Sequence, residues 1–420
     1  MKYKVTLKGR TYEVEVEAAN GTAKTHFRKA PPGTPHTRVN RFRRHIEADG
    51  KPFFPTVYSW INLAGDLPTA WHIDQLRSHN FNTVMLMPEM WADWAKCGNA
   101  ETRLKTMRAF ADAGFRFIVW SGVSMDKGLL GVTDARTGHI RELEAFKDRI
   151  LGWYYVDEIG PFWETQFGLK PSDFAEGYRR IKAVDPARLH FINWGWTNIS
   201  DGMPFYAEEG ATDLYSLDCY PYTQAHYGYG ALQIHERAAR ILNGRTRSAF
   251  MPGIMWLQTY GTQEGYREPM PVEYRNNVYV GLVNHVVGYM NFIGCPEHKD
   301  LWDEMGRSYG TALRWLRMTA RPGSACLRRG RQGEISFALW KDGLGGFSLV
   351  AANTLYAPQE ERLTLPADLD GLAPTCIGGE GRVAASDGAL EVALPAAGSA
   401  AWFFERRDKA DPQTAGPLPD

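Results

Sequence analysis

The sequence predicts an α/β protein: a closed (β/α)8 TIM barrel followed by a C-terminal antiparallel β-sandwich. Three observations carry that expectation. Between about residues 43 and 320, apolar runs and amphipathic stretches alternate as eight strand–helix units, the usual length of such a barrel. The run at 150–156 is apolar throughout, which suits a strand buried on both faces of a parallel sheet, and it ends abruptly at Asp157 and Glu158. After Arg321-Pro322-Gly323 the texture changes to short alternating strands separated by Gly, Pro and Asp.

Composition narrows the function classes. The chain has 420 residues, more than one compact core usually holds, so a large domain and a smaller one are expected. Its 48 basic and 48 acidic residues balance, which gives no reason to expect nucleic acid or a membrane surface as partner. No apolar run reaches membrane-span length, and the N-terminus has no signal-peptide core. The chain as written therefore reads as soluble and not exported. Its compartment stays open between the cytoplasm and an exported protein whose signal has been removed. Five Cys, odd in number and without a CxxC pair, support neither a disulfide framework nor a zinc site. No His/Asp/Glu group has metal-ligand spacing, and neither a metal nor another cofactor is expected. Nothing in the sequence speaks to oligomeric state.

The elements follow in order. Residues 3–7 and 12–16 alternate around a short turn and read as a hairpin that packs on the sandwich. Residues 19–40 are polar and Pro/Gly-rich and read as a linker. Barrel strands are expected at 52–60, 83–87, 115–120, 151–156, 189–194, 213–218, 250–256 and 288–293. Helices are expected at 67–80, 100–113 (closed by Gly114), 140–148, 172–184, 204–209, 231–242, 272–287 and 299–318. Sandwich strands are expected at 334–340, 346–353, 361–365, 389–394 and 400–405. The domains are thus 1–40 (hairpin and linker), 41–322 (barrel), 323–406 (sandwich) and 407–420 (disordered, Pro-rich tail). An open doubly wound sheet is the rival architecture, but no Gly-rich phosphate loop follows any strand.

In a barrel of this kind, polar groups at the C-terminal strand ends converge on one mouth. Strand one gives Trp60 and strand two Glu89. Strand three gives Trp120, and strand four Asp157 and Glu158. Strand five gives Asn193, Trp194 and, just beyond, Trp196. Strand six gives Asp218 and Tyr220, strand seven Trp256 and Gln258, and strand eight Asn291. Carboxylates, amides and aromatic plates together suit carbohydrate hydrolysis. Carboxyls move protons and stabilise an oxocarbenium-like transition state, amides hold sugar hydroxyls, and indole faces stack on pyranose C–H faces. The chain is rich in such plates, with aromatics at 13%. Each residue also has a plainer role: a strand-end Trp as core plug, Glu89 as partner of an Arg, Asp218 as a pin for the Tyr220-Pro221-Tyr222 turn.

The segments Gly152-Trp153-Tyr154-Tyr155-Val156-Asp157-Glu158, Asp218-Cys219-Tyr220-Pro221 and Arg267 to Arg275, followed by Gly288-Tyr289-Met290, resemble barrels of glycoside hydrolase clan A. The resemblance covers about residues 40–320. It implies a glycosidase whose acid/base is a Glu at the end of strand four, which Glu158 matches, with Asp157 where the clan carries Asn. The clan's nucleophile is a Glu at the end of strand seven, where this chain reads Trp256-Leu257-Gln258. The second carboxylate is then Asp218 or, in the loop after strand seven, Glu264. In this reading Glu158 is kept protonated by enclosed, apolar surroundings and by Asp157. Glu89 and Gln258 hold hydroxyls, and Trp60, Trp120, Trp194, Trp196, Tyr220 and Trp256 line the subsites of an oligosaccharide or glycoside. Loss of the strand-seven acid gives the rival function, a non-catalytic carbohydrate-binding barrel.

Overall fold

The structure is a computed structural model. It describes residues 2–7, 10–15, 18–19, 22–23, 37–40, 45–59, 70–86, 100–120, 143–159, 168–195, 211–223, 230–248, 253–261, 265–292, 294–364, 369 and 372–406.

Eight parallel strands close into a barrel. They are β1 (Thr56–Tyr58), β2 (Thr83–Leu86), β3 (Arg116–Trp120), β4 (Ile150–Val156), β5 (Leu189–Gly195), β6 (Leu214–Asp218), β7 (Gly253–Gln258) and β8 (Tyr289–Phe292). Each pairs with its sequence neighbour, and β8 closes on β1 through Tyr289 opposite Thr56. Six described helices surround it: α1 (Ala70–Ser78), α2 (Ala100–Asp112), α3 (Pro171–Val184), α4 (Ala231–Ser248), α5 (Pro271–Val283) and α6 (Lys299–Thr319).

Strand alternation sorts the core into two layers. Val57, Met85, Ile118, Leu151, Tyr154, Phe191, Leu214, Ile254, Trp256 and Met290 fill the barrel interior. Their sequence neighbours, among them Val84, Val119, Trp153, Ile192, Trp194, Leu217, Met255 and Leu257, pack outward in the layer shared with the helices. Two-sided burial is why the strands read as unbroken apolar runs. Gly152 in β4 is required by close approach: a Cβ there would lie 2.8 Å from the Leu189 carbonyl oxygen of β5.

Four details depart from the sequence reading. The expected first strand at 52–60 is split. Lys51–Phe53 belongs to a three-stranded antiparallel sheet with Thr37–Asn40 and His45–Ala48, and only Thr56–Tyr58 enters the barrel. That sheet plugs the barrel, since Ile46 and Ala48 join its interior core and the Thr37 hydroxyl donates to the Leu151 carbonyl at 2.7 Å. The end of the expected linker is therefore a strand with tertiary work to do. Where a helix is expected at 140–148, the described residues 143–148 hold a 3-10 turn, Leu143–Phe146. The helix expected at 204–209 lies outside the described residues, as does the tail from 407. Finally, α5 stops at Val283 rather than 287, because His285 takes a left-handed φ of 59°.

The C-terminal sandwich has a five-stranded sheet in the order Ala325–Gln332, Ile335–Lys341, Phe347–Asn353, Ser399–Arg406, Leu372–Gly379. Its second sheet orders Gln359–Thr364, Ala389–Leu394, Arg382–Ser386. Phe337, Leu349, Leu390, Val392, Trp402 and Phe404 form its core. The other face of the larger sheet, with Ala338, Trp340, Val350 and Ala401, merges into the barrel's outer core. Asn276 of α5 donates to the Asn353 carbonyl at 2.8 Å across that junction. Residues Met1–Pro35 form a compact unit of their own, with a hairpin pairing Lys2–Leu7 and Arg10–Glu15.

Candidate active site

The site is built from the C-terminal ends of β3 to β8. Adjacent residues in a strand point to opposite faces, yet Asp157 and Glu158 both act on Asp218. The backbone resolves this. β4 ends at Val156, and Glu158 adopts a left-handed φ of 43°, a conformation that costs a non-glycine residue about 1–3 kcal/mol. The Ile159 amide then bonds the Asn193 carbonyl at 3.0 Å, fastening the turn to β5.

Asp157 is half-buried and held from two sides. Its Oδ1 accepts the Tyr154 hydroxyl, and the Asn193 side-chain amide at 3.0 Å. The Asn193 Oδ1 accepts the Ser216 hydroxyl at 2.9 Å, and the Trp256 indole N–H donates to that same hydroxyl at 3.2 Å. A line of donors thus runs from β7 through β6 and β5 to the carboxylate on β4. Burial raises the Asp157 carboxyl above its ordinary value, while the bonds from Tyr154 and Asn193 oppose the rise.

Asp218, the last residue of β6, is 6% exposed. Burial drives its carboxyl well above the usual carboxylate range, and the charges of Asp157 and Glu158 and a hydrogen bond to Glu158 add to the rise. Glu158 itself is exposed, not enclosed as expected. The carboxyl whose protonated form burial favours is Asp218, which lies inside the barrel end. The expected enclosure of Glu158 is thereby corrected.

Aromatic rings line the mouth. Trp120, half-buried, meets Tyr154 edge-on at 4.8 Å, and Tyr154 meets Trp256 at 5.9 Å. Trp256 meets Phe292 at 6.2 Å, and Tyr220 stacks on Phe292 at 5.3 Å. Tyr260 closes on both, at 5.7 and 5.4 Å. Burial above all, with the neighbouring carboxyls adding to it, pushes the Tyr220 phenol up.

Three groups expected at the mouth do not face it. Trp194 is fully buried in the layer behind the barrel wall, edge-on to Tyr215 at 6.2 Å. Asn193 faces the mouth, so period-two alternation forces its neighbour outward. Gln258 is also fully buried, and backbone groups occupy both ends of its amide. Its Oε1 accepts the Tyr222 N–H at 3.0 Å, and its Nε2 lies 3.1, 3.1 and 2.8 Å from the carbonyls of Tyr222, Tyr260 and Arg267. Strand seven ends in a clamp, not a sugar ligand. Asn291 likewise points away, its Oδ1 accepting the Tyr274 hydroxyl at 2.8 Å and the Tyr309 hydroxyl at 2.5 Å. Trp60, Glu89, Trp196 and Glu264 lie outside the described residues. The sequence reading missed Tyr154, Ser216, Tyr260 and Phe292. Alternation alone would have found Ser216 and Phe292, each two residues from an inward residue of its strand, Leu214 and Met290.

Among the described residues, no group of three or more His, Cys, Asp or Glu is arranged to hold a metal ion. No protein-family model matches the chain, and no curated protein matches it. Solved structures do. The α-amylase of Geobacillus thermoleovorans aligns over 84% of this chain and 98% of its own at 10% identity, with a TM-score of 0.55. The GH51 arabinofuranosidase of Xanthomonas axonopodis pv. citri aligns over 88% and 98% at 9% identity, TM-score 0.53. A family 39 glycoside hydrolase of Bacteroides cellulosilyticus aligns over 86% and 84% at 13% identity, TM-score 0.51. The chain shares the barrel fold of glycoside hydrolases. At these identities the likeness concerns fold alone, and the chemistry of this mouth must be argued from its own residues.

Proposed function

We propose that the protein is a glycoside hydrolase in which Asp218 is the proton donor and Glu158 its partner carboxylate. The observation that carries the reading is a buried carboxyl, Asp218, interacting with the exposed Glu158 inside an arc of aromatic rings. One member is buried, which favours its protonated form, and the other is exposed to solvent. Roles are the reverse of those the clan resemblance implies. Asp218 would protonate the glycosidic oxygen as its bond to the anomeric carbon breaks, and Glu158 would attack that carbon to form a glycosyl ester. Water, deprotonated by Asp218, would then release the sugar. This course is a retaining one, in which the two carboxyls stand about 5–5.5 Å apart, whereas inverting pairs stand about 6.5–9.5 Å apart to admit a water. Burial, and then the charge of Asp157, fixed by Tyr154 and Asn193, favours the protonated form of Asp218. The substrate class is an oligosaccharide or glycoside whose ring packs on Trp120 and the Tyr220–Phe292 pair.

The test is a glycan and aryl-glycoside panel with the product anomer followed by NMR. Cleavage with retention, lost in Asp218→Asn on natural substrates, is the expected result. Binding without any cleavage across the panel would leave the non-catalytic barrel as the better reading, and it too would rest on the absent strand-seven acid.

A further inference from the structure

The Arg267–Glu273 segment joins the mouth to the sandwich. Glu273 is fully buried in the first turn of α5, where its Oε2 accepts the Met270 N–H at 2.7 Å. Arg267 grips it with both nitrogens, Nη1 to Oε2 at 2.7 Å and Nη2 to Oε1 at 2.6 Å. On the sandwich side, the hydroxyl of Tyr356 donates to the same Oε1. On the barrel side, the Arg267 guanidinium lies 5.0 Å from the centre of the Tyr222 ring. The Arg267 amide bonds the Tyr222 carbonyl at 3.0 Å, and the Tyr222 hydroxyl bonds Asn277 of α5 at 2.8 Å. Tyr222 ends the short segment that begins at Asp218, and Gln258 grips its backbone. A single buried carboxylate therefore ties the sandwich to the loop that carries the proton donor.

From this geometry we infer that Tyr356 is a positioning residue: through Glu273 and Arg267 it sets the Asp218–Tyr222 segment, so the sandwich is a working part of the active site. The physical reason is the geometry of the fork. An Arg held by both nitrogens on a buried carboxylate has one orientation, and the third donor fixes the carboxylate in turn. Without that hydroxyl the carboxylate can rotate, the guanidinium follows, and the ring beneath it shifts. Misplacement of a reacting group by about an ångström can cost on the order of 100-fold in rate, so a partial loosening should cost about 10-fold.

The kinetic half of this inference rests on the glycosidase reading, so the test has two independent readouts on the full chain. Tyr356→Phe deletes the hydroxyl and little else. We expect kcat to fall about 10-fold with KM nearly constant, and the Asp218 carboxyl titration, followed by 13C NMR, to move from its wild-type position. Arg267→Lys, which keeps the charge but loses the fork, should do the same, and the double variant should add little to either change. Should Tyr356→Phe not fold, Arg267→Lys carries the comparison. Wild-type kcat and an unmoved Asp218 titration in folded variants would overturn the inference, even if the melting temperature falls, because that is what mere domain adhesion predicts. If the wild type cleaves no glycoside yet the Asp218 titration moves in both variants, the positioning stands and the glycosidase reading fails.

Discussion

Replacing Asp218 by Asn should move activity and stability in opposite directions. The side chain keeps its size and can still donate to Glu158, but it cannot transfer a proton. A positioned general acid contributes about 10²–10⁴-fold, so turnover of a natural glycoside should fall by that much, while binding is nearly kept. Activated aryl glycosides, which need little protonation, should be spared at the cleavage step. The stability effect follows from linkage. The folded carboxyl titrates well above its ordinary value of 3.8, so its stabilising contribution is full below about that pH and is lost as pH rises through the folded value. Asn carries no such loss. Wild type and variant should therefore be about equally stable near pH 4, and the variant should pull ahead as pH rises. Urea melts at pH 4, 6 and 8 beside steady-state kinetics would measure both. A variant no more stable than wild type at pH 8 would refute the buried-proton argument, and one retaining more than about a tenth of natural-substrate turnover would refute the catalytic one.

Three further outcomes follow from the site. Gln258→Met should leave the Tyr222 N–H and the Tyr260 and Arg267 carbonyls without their partner, at about 2–4 kcal/mol in denaturant melts, with sugar affinity of the folded protein kept; weakened binding at unchanged stability would restore it as a ligand. Trp194→Ala should cost about 3–5 kcal/mol and spare binding, whereas Trp120→Ala should weaken binding and cost less stability, a contrast read by calorimetry on both variants. Tyr154→Phe removes one of the two side-chain donors to Asp157, so its carboxyl should titrate higher still by 13C NMR; an unchanged titration would show that the hydroxyl does not support the charge.

The sequence by itself determined the barrel, the sandwich and the strand ends that meet at the mouth. Period and punctuation are local properties: an apolar run such as 150–156 can only be a two-sided strand, and Asp157, Glu158 and Asp218 had to lie at one end of a parallel barrel. Facing was equally local, yet Asn193 and Trp194 cannot both look inward, and only the packed layers exposed that conflict. Three things were decided by tertiary structure alone. Whether Gln258 meets sugar or backbone depends on where the chain from Tyr260 to Arg267 returns, which no residue type encodes. Which carboxyl is enclosed depends on how the strand ends pack, and this buries Asp218 and leaves Glu158, next door to the other acid in sequence, exposed. The tie from Tyr356 to Arg267 spans two domains, and such contacts arise only when separately legible parts are packed together.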